Sequence, residues 1–200
     1  MALVVNRHPN PPPRRVPNAM LRSREYLTED EVSDLISAAG RVGRNRLRDA
    51  TLILVSYRHG LRVSEAADLR WEQVELKRRL LHVRRIKNGR ASTHPLGEQE
   101  RKWLRRLRRL YPTVRYVFVS ELKGPLTAAA IQHIVARAGQ LAGMPFRVHP
   151  HMLRHACGYK LANDGQDTRA IQAYLGHRNI NHTVRYTELS PERFRGFWED

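Results

Sequence analysis

The 200-residue chain carries 36 Lys and Arg against 19 Asp and Glu, a formal charge of +17 at pH 7. That length suits one domain with a real core, and the charge points to a polyanionic partner, nucleic acid before an anionic membrane. No apolar run approaches the ~18 residues of a membrane span, no secretory h-region follows MALVV, and the single Cys157 excludes an internal disulfide framework or a cysteine-based zinc site. A reducing, cytoplasmic setting is expected.

Residues 1–24 contain NRHPNPPPRR and RSR. Clustered prolines oppose helix, so this stretch reads as a flexible basic arm, either solvated or laid along phosphates. Leu27, Thr28, Glu31 and Val32 have the spacing of a capping box with a hydrophobic staple, which predicts a helix from there to Gly40. A second helix is predicted from Arg46 to His59, with Leu47, Ala50, Leu54 and Tyr57 on one face and Gly60 at its C′ position. Arg62 follows, and Ser64 is placed to cap a short helix through Ala66, Ala67 and Leu69.

The pattern then changes to strands. Val74 with Leu76 and Leu80 to Ile86 flank a Lys77-Arg78-Arg79 turn. Ala91 to Leu96 follows Asn88-Gly89, the strongest hairpin signal in the chain. Lys87 stands at the edge of that second turn. Residues 97–110 predict an amphipathic helix with Trp103, Leu104, Leu107 and Leu110 on its apolar side. Arg105, Arg106, Arg108 and Arg109 load the other side, as a solvated face or as part of a basic surface.

Val114 to Ser120 reads as extended, Lys123-Gly124-Pro125 as a turn, and Thr127 to Leu141 as a helix packed through Ala128, Ile131, Ile134, Val135 and Ala138. His149-Pro150 opens a helix that runs to Asn163 and is broken by Gly165. Asp167 caps Thr168 to Leu175, which Gly176 stops. Asn181 to Thr187 is a short helix or turn carrying Tyr186. Pro191 to Trp198 predicts a last helix with Phe194, Phe197 and Trp198. The expected fold class is α+β, mostly helical, with one small three-stranded antiparallel sheet and no internal repeat.

Six side chains in this order have the chemistry of metal-independent phosphodiester exchange: Arg62, Lys87, His151, Arg154, His177 and Tyr186. Arg154, three residues after His151, shares its helix face, near an N-terminus whose N–H groups favour phosphate. The planar forks of Arg62 and Arg154 match the two non-bridging oxygens. His151 can accept the tyrosine proton, His177 can donate to the phosphate, and Lys87 can protonate the leaving 5′ oxygen. Glu65 is placed to orient Arg62 or a histidine. Tyr186, with an ordinary pKa of about 10, needs a base and nearby cations to act as nucleophile. His151 and His155 also have a zinc-protease spacing, but Met152 replaces the glutamate that such a site needs. Singly these residues are ordinary; their order and spacing carry the reading.

The set closely resembles the tyrosine recombinases, or phage-type integrases. GLRVSEAADLRW is similar to their first arginine motif and HMLRHACGYKLANDG to their second. LGHRNINHTVRYT is similar to the third, with nine residues from His177 to Tyr186. The likeness covers about Leu27 to Leu189 and is greatest to the short fimbrial phase-variation invertases.

The resemblance implies a recombinase catalytic domain over residues 25–190, with the arm before it and a C-terminal helix over 191–200 docking in cis or on a neighbouring protomer. It implies a type IB mechanism: a 3′-phosphotyrosine at Tyr186, a Holliday junction, no metal or other cofactor, and inversion or integration and excision as the outcome. The implied partners are double-stranded DNA with inverted-repeat sites, three further copies of the chain in a homotetramer, and DNA-bending accessory proteins, in the bacterial nucleoid. Three other readings compete: a DNA-binding regulator that keeps the fold without chemistry, a topoisomerase-like relaxing enzyme, and a histidine-metal hydrolase.

Overall fold

The computed structural model describes residues 25–85 and 90–188. The basic arm, Lys87, the Asn88-Gly89 turn and the last predicted helix lie outside those residues. Helix α1 (Glu29–Arg41) begins as its sequence predicts. Thr28 N–H donates to Glu31 Oε2 at 2.8 Å and Glu31 N–H to Thr28 Oγ1 at 3.3 Å, so two otherwise unpaired donors are satisfied reciprocally.

Helix α2 (Arg46–Arg58) is the centre of the packing. The expected single apolar face is corrected: Ala50, Thr51, Leu52, Ile53, Leu54, Val55 and Ser56 are all buried, and Leu47 and Tyr57 only partly. A helix buried all round loses the amphipathic period, which is why its apolar run gave the wrong face. Leu52 and Val55 join a core with Leu61, Leu69, Leu81, Leu104, Leu107 and Phe118. Ala50 and Ile53 join a second, with Leu27, Val32, Leu35, Val135 and Leu153. Tyr57 packs against the second core and against a third, formed by Cys157, Ala162, Ile171, Leu175 and Tyr186.

The chain leaves α2 through Gly60, at φ +55°, and turns into α3 (Val63–Ala67). Arg62, rather than Ser64, occupies the N-cap position of α3, and the helix stops before Leu69. A 3₁₀ turn over Trp71–Gln73 leads to the sheet. Strands β1 (Val74–Glu75), β2 (Leu80–Val83) and β3 (Ser92–Pro95) pair antiparallel in the order β1-β2-β3; β1 and β2 start where expected and stop earlier, and β3 is one residue shorter at each end.

Helix α4 (Glu98–Leu110) buries Leu104 and Leu107, but Leu110 is 62% exposed, contrary to expectation. The Arg108 guanidinium lies 5.2 Å from the Trp71 ring. Residues 114–120 form no strand; Arg70 and Tyr116 make an isolated bridge instead. In α5 (Ala128–Leu141), Ile131, Val135 and Ala138 are buried and Ala128 is exposed in the first turn. Helices α6 (Pro150–Asn163), α7 (Thr168–Leu175) and α8 (Asn181–Thr187) lie where the sequence placed them. Asp167 caps α7 by accepting from Arg169 and Ala170 N–H at 2.8 and 3.1 Å. Among the described residues no helix is long and apolar enough to cross a membrane.

Candidate active site

Four pieces of chain meet around a cleft of about 400 Å³: the start of α3, the first half of α6, the turn after α7, and α8. They bring Arg62, His151, Arg154, His177 and Tyr186 to its lining, together with His155, Gly176 and Arg185. Lys87 is outside the described residues.

Glu65 fixes Arg62. Its Oε2 accepts the Arg62 backbone N–H at 2.9 Å, and its Oε1 accepts from Arg62 Nη1 at 2.8 Å. The same carboxylate accepts from Arg85 Nη1 at 2.7 Å. Burial alone would raise the Glu65 pKa, but Arg85 and the bonds from Arg62 outweigh it and hold the carboxyl below its ordinary value. Arg62 keeps 28% of its side chain exposed at the cleft.

Arg154 is 2% exposed. Its Nη1 donates to Gly60 O at 2.5 Å and its Nη2 to Leu175 O at 2.8 Å, joining the segment before Arg62 to the segment before His177. Burial, with Arg62 and Arg85 nearby, brings its pKa down to about 10, which still leaves it charged at neutral pH. His177 Nδ1 lies 2.8 Å from Thr183 Oγ1, and burial followed by Arg154 and Arg62 lowers its pKa to about 3. The imidazole is therefore neutral, and its orientation is set from α8.

Tyr186 is 1% exposed and packs as a core residue. Its ring lies on α6 at Gly158, where a Cβ would stand 2.7 Å from the ring carbons, so only glycine leaves room. Its edge meets the Tyr159 ring at 5.0 Å between centroids. Burial raises its pKa to about 12, against the opposing pull of Arg185 and Arg154.

The hydroxyl meets His155 and not His151: O–H to Nδ1 is 2.9 Å. His155 is buried, and its pKa falls to about 3, mainly through lost hydration and then His151 and Arg185. It is thus neutral, and in the tautomer with its proton on Nε2 its Nδ1 accepts from the phenol. His151, one helical turn earlier, is exposed and touches His155 edge-on at 4.3 Å. Lost hydration and Arg154 lower its pKa as well.

Sequence reasoning missed His155 and Arg85. For His155 the signal existed, since i and i+4 share a face, but that spacing was weighed only for metal. Among the described residues no three His, Cys, Asp or Glu side chains gather as a metal site would require. For Arg85 a strand position gave no hint of a carboxylate twenty residues earlier.

The phage integrase family matches residues 25–193. The type 1 fimbriae regulatory protein FimB of Escherichia coli is 42% identical over 184 residues, covering 89% of this chain and 91% of FimB. FimE of the same species is 43% identical over 185 residues, covering 90% and 93%. The tyrosine recombinase XerD of Ralstonia nicotianae is 34% identical over 92% of this chain and 59% of its own length. Among solved structures, the XerA recombinase superposes with a TM-score of 0.75 at 29% identity, over 92% of this chain and 68% of XerA. The XerH recombinase in its pre-cleavage complex shares the fold, with a TM-score of 0.71 at 23% identity over 88% and 53%. With its motifs in one cleft and these relatives along nearly its whole length, the chain belongs to the phage integrase family, the tyrosine recombinases.

Proposed function

We propose that this protein is a site-specific DNA recombinase that cuts and rejoins strands through Tyr186. One observation carries the reading: Arg62, His151, Arg154, His177 and Tyr186, spread over 125 positions of sequence, line a single cleft. In the proposed reaction the Tyr186 oxygen attacks the scissile phosphorus, the new P–O bond replaces the bond to the 5′ oxygen, and the phenol proton passes to a histidine. His155 is in hydrogen-bond reach of that proton, and His151 lines the same cleft one helical turn away. Arg62 and Arg154 neutralise the non-bridging oxygens. In the tautomer with its proton on Nε2, His177 accepts from Thr183 at Nδ1 and donates to the phosphate. Lys87 is assigned the proton for the leaving 5′ oxygen.

The reverse attack by a partner strand's hydroxyl completes exchange through a Holliday junction. The proposed assembly is a homotetramer on two duplex sites bearing inverted repeats, with DNA-bending accessory proteins and without metal, in a bacterial cytoplasm. The 42–43% identity to the fimbrial regulators favours inversion over integration or excision. Residues 25–190 are assigned the catalytic domain, 1–24 a phosphate-following arm, and 191–200 a docking helix.

A nicked suicide duplex tests the reading. The wild type is expected to accumulate a covalent protein–DNA adduct and Tyr186→Phe none, with DNA binding kept. Binding without an adduct in the wild type would instead identify a regulator that keeps only the fold.

A further inference from the structure

Two buried arginines stitch the segment carrying Arg62 to the segment carrying His177. Arg154 does so at the cleft, through Gly60 O and Leu175 O. Arg85 does so from behind, just beyond β2. Its Nη1 donates to Glu65 Oε2 at 2.7 Å and to Gly60 O at 3.4 Å, and its Nη2 to Tyr174 O at 2.5 Å and His59 O at 3.4 Å. Its side chain is fully buried, at 0% exposure, and it is not part of the cleft lining, so it does not meet a phosphate there.

The turn below His177 is shaped around this side chain. Gly176 sits at φ +66°, and a Cβ there would lie 2.8 Å from Arg85 Cγ and 2.9 Å from Nε. A buried ion pair is a poor stabiliser, because the cost of removing two charges from water often equals or exceeds their attraction, and apolar residues of equal size serve stability as well. What the arginine fork adds is fixed geometry: one planar group sets a carboxylate and three carbonyls from two distant segments. Glu65 divides its oxygens between Arg62 and Arg85, so a change at Arg85 passes to Arg62 through a single carboxylate.

We infer that Arg85 is a positioning residue for strand cleavage, aligning Arg62 through Glu65 and His177 through the Tyr174–Gly176 turn. This rests on the recombinase reading above. A misplacement of about 1 Å at such groups can cost roughly 10²-fold in rate. The defect should concern charge on the non-bridging oxygens, since that is what Arg62 and His177 would meet.

The test compares single-turnover adduct formation on an ordinary suicide duplex with that on one bearing a methylphosphonate at the scissile position, where one charged oxygen is replaced by methyl. Arg85→Lys keeps a cation for Glu65 but loses the fork. It is expected to lower the rate about 10²-fold on the ordinary duplex. On the methylphosphonate it should recover to within about tenfold of wild type, because less charge needs stabilising. Gly176→Ala, which crowds the Arg85 side chain and strains a left-handed backbone position beside His177, should follow the same pattern.

Equal losses on both substrates would overturn the inference, as would rescue only by a 5′-bridging sulfur leaving group, which needs no acid. Loss of the folded state in both variants, read by circular dichroism, would assign Arg85 to the fold alone. An adduct-free wild type sinks the recombinase reading instead, which keeps the two failures apart.

Discussion

Arg62 and Tyr186 line the same cleft, yet they are held there in different ways. Around Arg62, a local bond from its guanidinium to Glu65 is braced by charge-assisted bonds between distant segments: Arg85 to Glu65, 20 residues away, and Arg154 to carbonyls 94 and 21 residues away. Around Tyr186 there is one hydrogen bond to His155, aromatic packing on Gly158 and Tyr159, and a seven-residue helix without a side-chain N-cap bond. The cation side is cross-braced between segments by these bonds. The tyrosine side is parked, with its hydroxyl buried and its pKa pushed up to about 12. Under the proposed reaction, preorganisation is most useful where charge must be met, whereas a buried tyrosine would have to be released to attack.

Three changes break or sharpen this contrast. The largest effect is expected from Glu65→Gln, which leaves the Arg85 and Arg62 guanidinium groups without their carboxylate. Breaking a buried pair costs about 3–5 kcal/mol, to be read as a lower urea midpoint with an unchanged slope. A loss under ~1 kcal/mol, the range of a solvated pair, would make the cation side no stiffer than the tyrosine side.

Gly158→Ala acts on the parked tyrosine. Overpacking there is expected to cost about 1–3 kcal/mol, less than the first change. As the ring is lifted from α6, the phenol pKa should fall from about 12 toward its ordinary 10, which ultraviolet difference titration measures. A pKa that stays put would mean the ring is held elsewhere than on α6.

The smallest effect separates the two sides by pH. His155 and His177 titrate near 3 in the fold but near 6.5 when unfolded, so the unfolded chain binds more protons between those values. Their contribution is complete above about pH 6.5 and is lost as the pH falls toward 3. Glu65 is depressed below 4.5, so its contribution persists until the pH falls below that point. His94 in β3 also titrates near 3 and adds a global loss on the acid side. The discriminating measurement is therefore local: amide exchange of α8 should accelerate between pH 6.5 and 5 relative to that of α3. Equal acceleration in the two helices would erase the contrast.

Much of this site was legible from side-chain order. Thr28, Asp167, Gly60 and Gly176 mark helix ends through local chemistry, and local chemistry is what a sequence displays directly. Arg62, His151, Arg154, His177 and Tyr186 stood out by spacing, because that chemistry needs those groups in number. The partners of Arg85 and His155 did not stand out. Arg85 answers a carboxylate in another element, and its strand pattern says which way it points but not what waits there. His155 was visible as a helix-face neighbour of His151, but Tyr186 reaches it only because Gly158 leaves a gap. Leu110 and Ala128 were placed inward by periodicity, although they sit at helix ends where the buried stripe runs out.

The sharing of one carboxylate among these arginines has an electrostatic consequence. Glu65 and Arg85 cancel behind the cleft, so its lining keeps the charge of Arg62, Arg154, Arg178 and Arg185, a formal +4 with no carboxylate among the lining residues. Under the proposed reaction that surplus exceeds the −1 of a resting phosphodiester and attracts the −2 of a pentacoordinate phosphorane more strongly, which favours the fleeting species over the ground state.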